Sequence, residues 1–142
     1  MPENANKLLV LRYFDAINSG NYDRLDEIIA DDYLQHYLGV PPGREMAKRL
    51  LKAFRAAFPD VRFFVDQEIV EGDKVVARST TRGTHRGEYL GHPPTNRSFR
   101  VTGIDIFRVA QGQLVEHWAE FDTLGMLTQL ALVSRSEQEG SD

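Results

Sequence analysis

The chain, 142 residues long, contains no cysteine. That excludes disulfide bridges, thiolate-bound zinc or iron–sulfur centres, and a thiol nucleophile. An excess of positive charge is also missing. Lys and Arg number 17 against 21 Asp and Glu, a formal charge of −4, which argues against nucleic acid as a partner. No apolar run approaches the roughly 18–20 residues that a spanning helix needs. The start, MPENANKLLVLRYF, has no basic segment leading into a long apolar stretch, so no signal peptide is expected and the cytoplasm is the expected compartment. Only four histidines occur, at positions 36, 85, 92 and 117, and their spacing follows no metal-ligand pattern. No Gly-rich phosphate loop joins a strand to a helix, and no serine sits in a nucleophile elbow. These absences leave acid/base chemistry on a small, largely apolar organic molecule, without metal or cofactor, or binding alone.

What is present divides into a helical half and a stranded half. In KLLVLRYFDAIN, Val10, Tyr13, Phe14 and Ile17 recur at helical spacing and make one apolar stripe. Asn18-Ser19-Gly20-Asn21 breaks that helix, and YDRLDEIIA follows as a short one with Leu25, Ile28 and Ile29 on its face. DDYLQHYLGVPPG reads as an irregular crossing. A third helix is expected from Arg44 to Phe58, with Ala47, Leu50, Phe54 and Ala57 in its stripe. Strands then follow: VRFFVDQEIV, with Phe63, Val65, Gln67 and Ile69 on one face; KVVARSTTRGTH; FRVTGIDIFRV; and QLVEHWAEF. Glu71-Gly72-Asp73 and Gln111-Gly112 are the hairpin turns. The helix TLGMLTQLAL closes a single domain over residues 1–133, and residues 134–142 read as a polar, disordered tail. Three helices followed by antiparallel strands predict an α+β fold, a curved sheet packed against helices with a ligand pocket in its mouth.

Acids on strands are the first candidates for chemistry. Asp105 alternates with Val101, Gly103 and Phe107 on one face of the longest strand. A carboxylate among such neighbours must be paired or hydrogen-bonded. It is either a catalytic group or half of an ion pair with an arginine such as Arg78. Along LVEHWAEFD, the residues Glu116, Trp118, Glu120 and Asp122 share one parity. With that face inward, Trp118 is a flat wall and Asp122 stands at the rim as an acid/base. Asp122 also directly precedes TLGML, where Asp is a preferred helix N-cap. His85 ends a strand, where it orients a ligand or satisfies a turn. Tyr33, His36 and Tyr37 form an aromatic patch suited to a pocket mouth or a core edge, while His92 and His117 read as solvent or interface residues.

The stretch GTHRGEYLGHPPTNRSFRVTGIDIFRVAQGQLVEHWAEFDTLGMLTQL resembles the SnoaL-like polyketide cyclases, also called ester cyclases. The pattern is G-T-H-x-G-x-x-x-G, then P-P-T-x-R, G-I-D-I-F-R and E-H-W-x-x-x-D, and the likeness extends over nearly the whole chain. The resemblance implies the cone-shaped α+β domain of the nuclear transport factor two-like superfamily. It implies ring closure of a polyketide ester by intramolecular aldol condensation, without metal or cofactor. It also implies a homodimer or higher assembly through the outer sheet face. By position in the motif, Asp122 takes the acid/base role, with Asp105 supporting it. The strand that carries a helper His in those cyclases offers Asp105 and Phe107 here. Trp118, His36, Tyr33, Phe107, His85, Arg78 and Glu120 complete the expected substrate-binding set. A silent binding or dimerising domain of the same fold is the alternative.

Overall fold

The computed structural model describes residues 2–37 and 39–133, so the tail expected at 134–142 lies outside the described residues. Helix α1 (Pro2–Ser19) opens the chain, and a 3-10 turn at Tyr22–Arg24 leads into the single-turn α2 (Leu25–Ile28). Strand β1 (Ile29–Gln35) and helix α3 (Arg44–Ala57) come next. Then follow β2 (Arg62–Glu71), β3 (Lys74–Thr84), β4 (Ser98–Ala110), β5 (Gln113–Phe121) and α4 (Thr123–Gln129). The strands form one open, curved sheet in the order β1-β5-β4-β3-β2. Strands β2 to β5 pair antiparallel, and β1 joins β5 in parallel at one edge. The α+β architecture is therefore the expected one. Its hairpins are set by backbone chemistry. Gly72 (φ 61°) supplies the positive φ that the first turn requires, and Gln111 and Gly112 (φ 52° and 75°) supply both in the second.

Two expectations fail, each for a physical reason. The short second helix stops at Ile28, and Ile29–Gln35 is a strand rather than the end of a helix and the start of an irregular crossing. Its partner β5 lies about eighty positions away, with Gln35 opposite His117. No local pattern announces a strand whose hydrogen bonds come from so far along the chain. The second failure concerns which side chains face inward. In β2, Val65 pairs with Ser79 and Gln67 with Arg78, so Asp66 is an extra residue. In β5, Leu114 pairs with Val109 and Glu116 with Arg108, so Val115 is extra. A bulge of one residue reverses the facing of everything beyond it. Gln67 and Ile69 therefore face away from the helices, unlike Phe63 and Val65.

The inner sheet face carries two apolar clusters. One joins Val10, Tyr13, Phe14 and Ile17 of α1 to Val75, Ala77, Phe107 and Leu114 of the sheet. The other joins Ala57, Phe58, Met126 and Leu130 to Phe99 and Val101. Each fully buried large side chain here contributes about 1.5–3 kcal/mol relative to exposure. Between the clusters the inner face turns small and polar: Ser79 on β3, Gly103 and Asp105 on β4, Ala119 on β5. The helices pack against the two clusters, and this polar stretch lies between them.

Candidate active site

Asp105 faces inward from β4, opposite Ala77 on one side and Ala119 on the other. Two short neighbours leave its carboxylate uncovered by side chains of the sheet. Its partner is not Arg78 but His117, whose Nε2 lies 2.7 Å from Asp105 Oδ1. A carboxylate only accepts hydrogen bonds, so Nε2 carries the proton. In the neutral ring Nδ1 is then an acceptor, and that atom is buried without a protein partner. The imidazole is 5% exposed and the carboxylate 19%, so the pair is inside but its acid remains reachable. The sequence pattern points to a solvent or interface residue at His117, whereas the structure buries it. The bulge at Val115 is what turns it inward.

Aromatic rings hold this pair in place. Phe107, directly across from His117 on β4, stacks on the imidazole with centroids 4.4 Å apart and planes 1° from parallel. Tyr33 lies over the ring at 6.1 Å, and Tyr13 and Tyr37 approach edge-on at 6.5 Å each. Burial raises the pKa of all three tyrosines, and the negative charge of Asp105 adds to the effect at each. Tyr37 is pushed up to about 12. They are therefore neutral phenols at physiological pH, able to donate. The Tyr33 hydroxyl and the Gln35 Nε2 are buried with no protein partner. Tyr33 and Gln35 share a face of β1, and Gln35 lies opposite His117. Buried donors without acceptors are costly. Tyr33 and Gln35 on β1 and His117 on β5 each carry one such unpartnered polar atom.

The expected site residues separate into two sets. Asp105, Phe107 and Tyr33 come together at this inner cluster. Trp118 and Glu120 pair with Ile106 and Ile104 on the outer face, where both line an open apolar cleft of about 300 Å³. His36 is outside too, stacked on Trp118 at 4.7 Å and bonded to Glu116 at 2.7 Å. Arg78 also faces outward, 3.9 Å from Asp66. The parity that gathered Glu116, Trp118 and Glu120 around a pocket is thus corrected by the same bulge that brings His117 in. His85 is fully buried, and its Nδ1 accepts from the Thr95 backbone N–H at 3.2 Å. It ties the loop between β3 and β4 to the end of β3. Gly87 in that loop passes so close to α3 that any Cβ would overlap the Ala56 carbonyl.

Asp122 is exposed and caps α4, its Oδ1 accepting from the Gly125 N–H at 2.8 Å. Among the described residues, no side-chain hydrogen bond joins it to the inner cluster. Asp122→Ala is expected to cost about 1 kcal/mol through loss of the cap, and Asp122→Asn only a few tenths. Both variants should keep their activity. Thermal melts beside a turnover assay check this, and loss of turnover in the well-folded Asn variant would return the acid/base role to Asp122.

Among the described residues, no group of three or more His, Asp or Glu side chains converges as a metal site would require. No helix among them is long and apolar enough to cross a membrane.

Known proteins resemble this chain over nearly all of its length. Residues 7–130 match the SnoaL-like polyketide cyclase family. Nogalonic acid methyl ester cyclase of Streptomyces nogalater is 32% identical over 123 residues, covering 81% of this chain and 89% of the relative. Aklanonic acid methyl ester cyclase DnrD of Streptomyces peucetius is 30% identical over 132 residues, covering 86% and 88%. Among solved structures, TsrD from Streptomyces laurentii superposes with a TM-score of 0.85 at 32% identity, over 92% of this chain and 97% of that one. By fold and by sequence, the chain belongs to the SnoaL-like polyketide cyclase family.

Proposed function

We propose that the protein closes a ring of a polyketide ester by intramolecular aldol condensation, with Asp105 as acid/base and no metal or cofactor. The carrying observation is the Asp105–His117 pair inside the cone, beneath three neutral tyrosines. Asp105 Oδ1 is engaged by His117, and Oδ2 has no protein partner among the described residues. That free oxygen takes the proton from a carbon α to the substrate's carbonyl. The resulting enolate carbon attacks a second carbonyl of the same molecule, forming one C–C bond, and the new alkoxide is protonated. Substrate and product are isomers, and the carboxylate is regenerated when it returns its proton. The Tyr33 hydroxyl and the Gln35 carboxamide are suited to hold the enolate and alkoxide oxygens, which satisfies two orphaned donors. The apolar rings around the pair exclude water and strengthen those bonds.

Nogalonic acid methyl ester, on which the Streptomyces nogalater relative acts, is the first substrate to try. Conversion to a product of unchanged mass but altered absorbance and retention supports ring closure. If neither it nor the aklanonic ester is altered or bound, the reading fails.

The same reading includes a cytoplasmic homodimer. Its support is the outer face, where Ile104 is 47% exposed beside Trp118 and Ile106, and Ile69 is 55% exposed on the edge strand β2. An apolar sheet face of this kind calls for a cover. Ile104→Glu is expected to convert a dimer to monomers in sedimentation experiments. A wild-type chain that sediments as a monomer at tens of micromolar removes the dimer from the account.

A further inference from the structure

At the other end of the outer face, Arg62, Arg82 and Arg100 stand side by side on β2, β3 and β4. Arg62 pairs directly with Arg82, and Arg82 with Arg100. Strands lie about 4.8 Å apart, so three guanidinium side chains start from a line of roughly 10 Å. Like charges directly opposite each other destabilise an antiparallel pair, and here the unfavourable pairing occurs twice in succession. All three residues are exposed. Among the described residues, none of them has a carboxylate partner in an ion pair, in a protein whose formal charge is −4.

The row is not splayed apart. The guanidinium groups of Arg62 and Arg82 both lie over the Phe64 ring, 5.6 and 5.2 Å from its centroid. Stacking on a ring fixes the plane of a guanidinium and leaves its N–H edges free to donate. Beside them opens a cleft of about 570 Å³ whose lining includes Arg82, Arg100, Thr84, Ser98, Asp60 and Gln129. Its floor is firmly built. The Gln129 carboxamide takes both backbone groups of Arg100, at 2.7 and 3.1 Å. The carboxylate of Asp60 is bound by the Thr84 N–H and hydroxyl, each at 2.7 Å, so it is occupied by Thr84 rather than by an arginine. Three guanidinium charges against this one carboxylate leave an excess of two.

We propose that this row is a binding site for a dianionic oxyanion of the phosphate class, a phosphomonoester or pyrophosphate. Arg82 and Arg100 grip it side by side along the sheet wall of the cleft, and Arg62 adds charge from the next strand. The fork of N–H donors on each guanidinium matches the paired oxygens of a phosphate. The site is separate from the inner cluster, since Arg82 and Arg100 face away from Asp105.

Calorimetric titration of the whole protein at about 0.15 M NaCl tests this, with inorganic pyrophosphate and glycerol phosphate as probes. Saturable binding of one ion per chain is expected. A response to pyrophosphate alone would identify a free diphosphate, and a response to both would identify a terminal phosphate on a larger molecule. Arg82→Gln and Arg100→Gln should each weaken binding at least tenfold, as loss of a charge-assisted bidentate contact implies. Asp105→Asn should leave it unchanged. Heat that is not saturable by millimolar probe, or binding equal in wild type and both arginine variants, overturns the proposal. So does an Arg82→Gln variant that dissociates the assembly in sedimentation while the wild type binds no phosphate. In that case the row's counter-charges are carboxylates of a second copy.

Discussion

Asp105→Asn is expected to lower turnover by about 10²–10⁴-fold, the usual contribution of a positioned acid/base. The substitution keeps the shape of the side chain and an oxygen that can accept from His117 Nε2, now 2.7 Å from Oδ1. What it removes is the ability to take a proton. The fold should therefore survive, with the Phe107–His117 stack undisturbed. Single-turnover rates beside a thermal melt separate the two effects. Full activity in a folded Asp105→Asn protein would exclude this carboxylate from the chemistry.

The second large effect is on stability. His117→Phe preserves a flat ring to stack on Phe107 at 4.4 Å but removes the only side-chain partner that Asp105 has among the described residues. A carboxylate 19% exposed cannot replace that bond fully with water. The expected loss is about 1–3 kcal/mol. For a domain of this size that lowers Tm by roughly 3–10 °C. Turnover should fall as well, because nothing then fixes the carboxylate's orientation. The double variant His117→Phe/Asp105→Ala closes a cycle, and it should be more stable than the two single losses add up to. A melt unchanged by His117→Phe would mean that the pair contributes nothing to the fold.

The fold was legible in the sequence because its signals are local. The α1 stripe Val10, Tyr13, Phe14 and Ile17 is buried as its spacing predicts, and α3 runs from Arg44 to Ala57 as expected. Both hairpins turn at the glycines that mark them. Strand β1 was not legible, since its hydrogen bonds come from β5 at the other end of the chain.

The site was legible only in part. Asp105 stands out because a carboxylate alternates there with Val101, Gly103 and Phe107. Its partner stayed hidden behind one extra residue, Val115. Simple alternation from the buried Leu114 carries Glu116 and Trp118 inward, and the bulge sends His117 there instead. Counting back through the Gln111-Gly112 turn sets Phe107 opposite Glu116, and only the extra Val115 moves that place to His117. Asp122 was favoured by motif position, but its geometry is that of a helix cap. The His that bonds the β4 carboxylate lies on the neighbouring strand β5.

In the proposed mechanism Asp105, oriented by His117, removes a proton from carbon. Solvent exchange measures that step without requiring ring closure. In deuterium oxide, with a polyketide methyl ester bound, wild-type protein and Asp122→Asn should incorporate deuterium at the carbon α to the reacting carbonyl, and Asp105→Asn should not. Incorporation by Asp105→Asn at the wild-type rate, with loss in Asp122→Asn, would contradict the account.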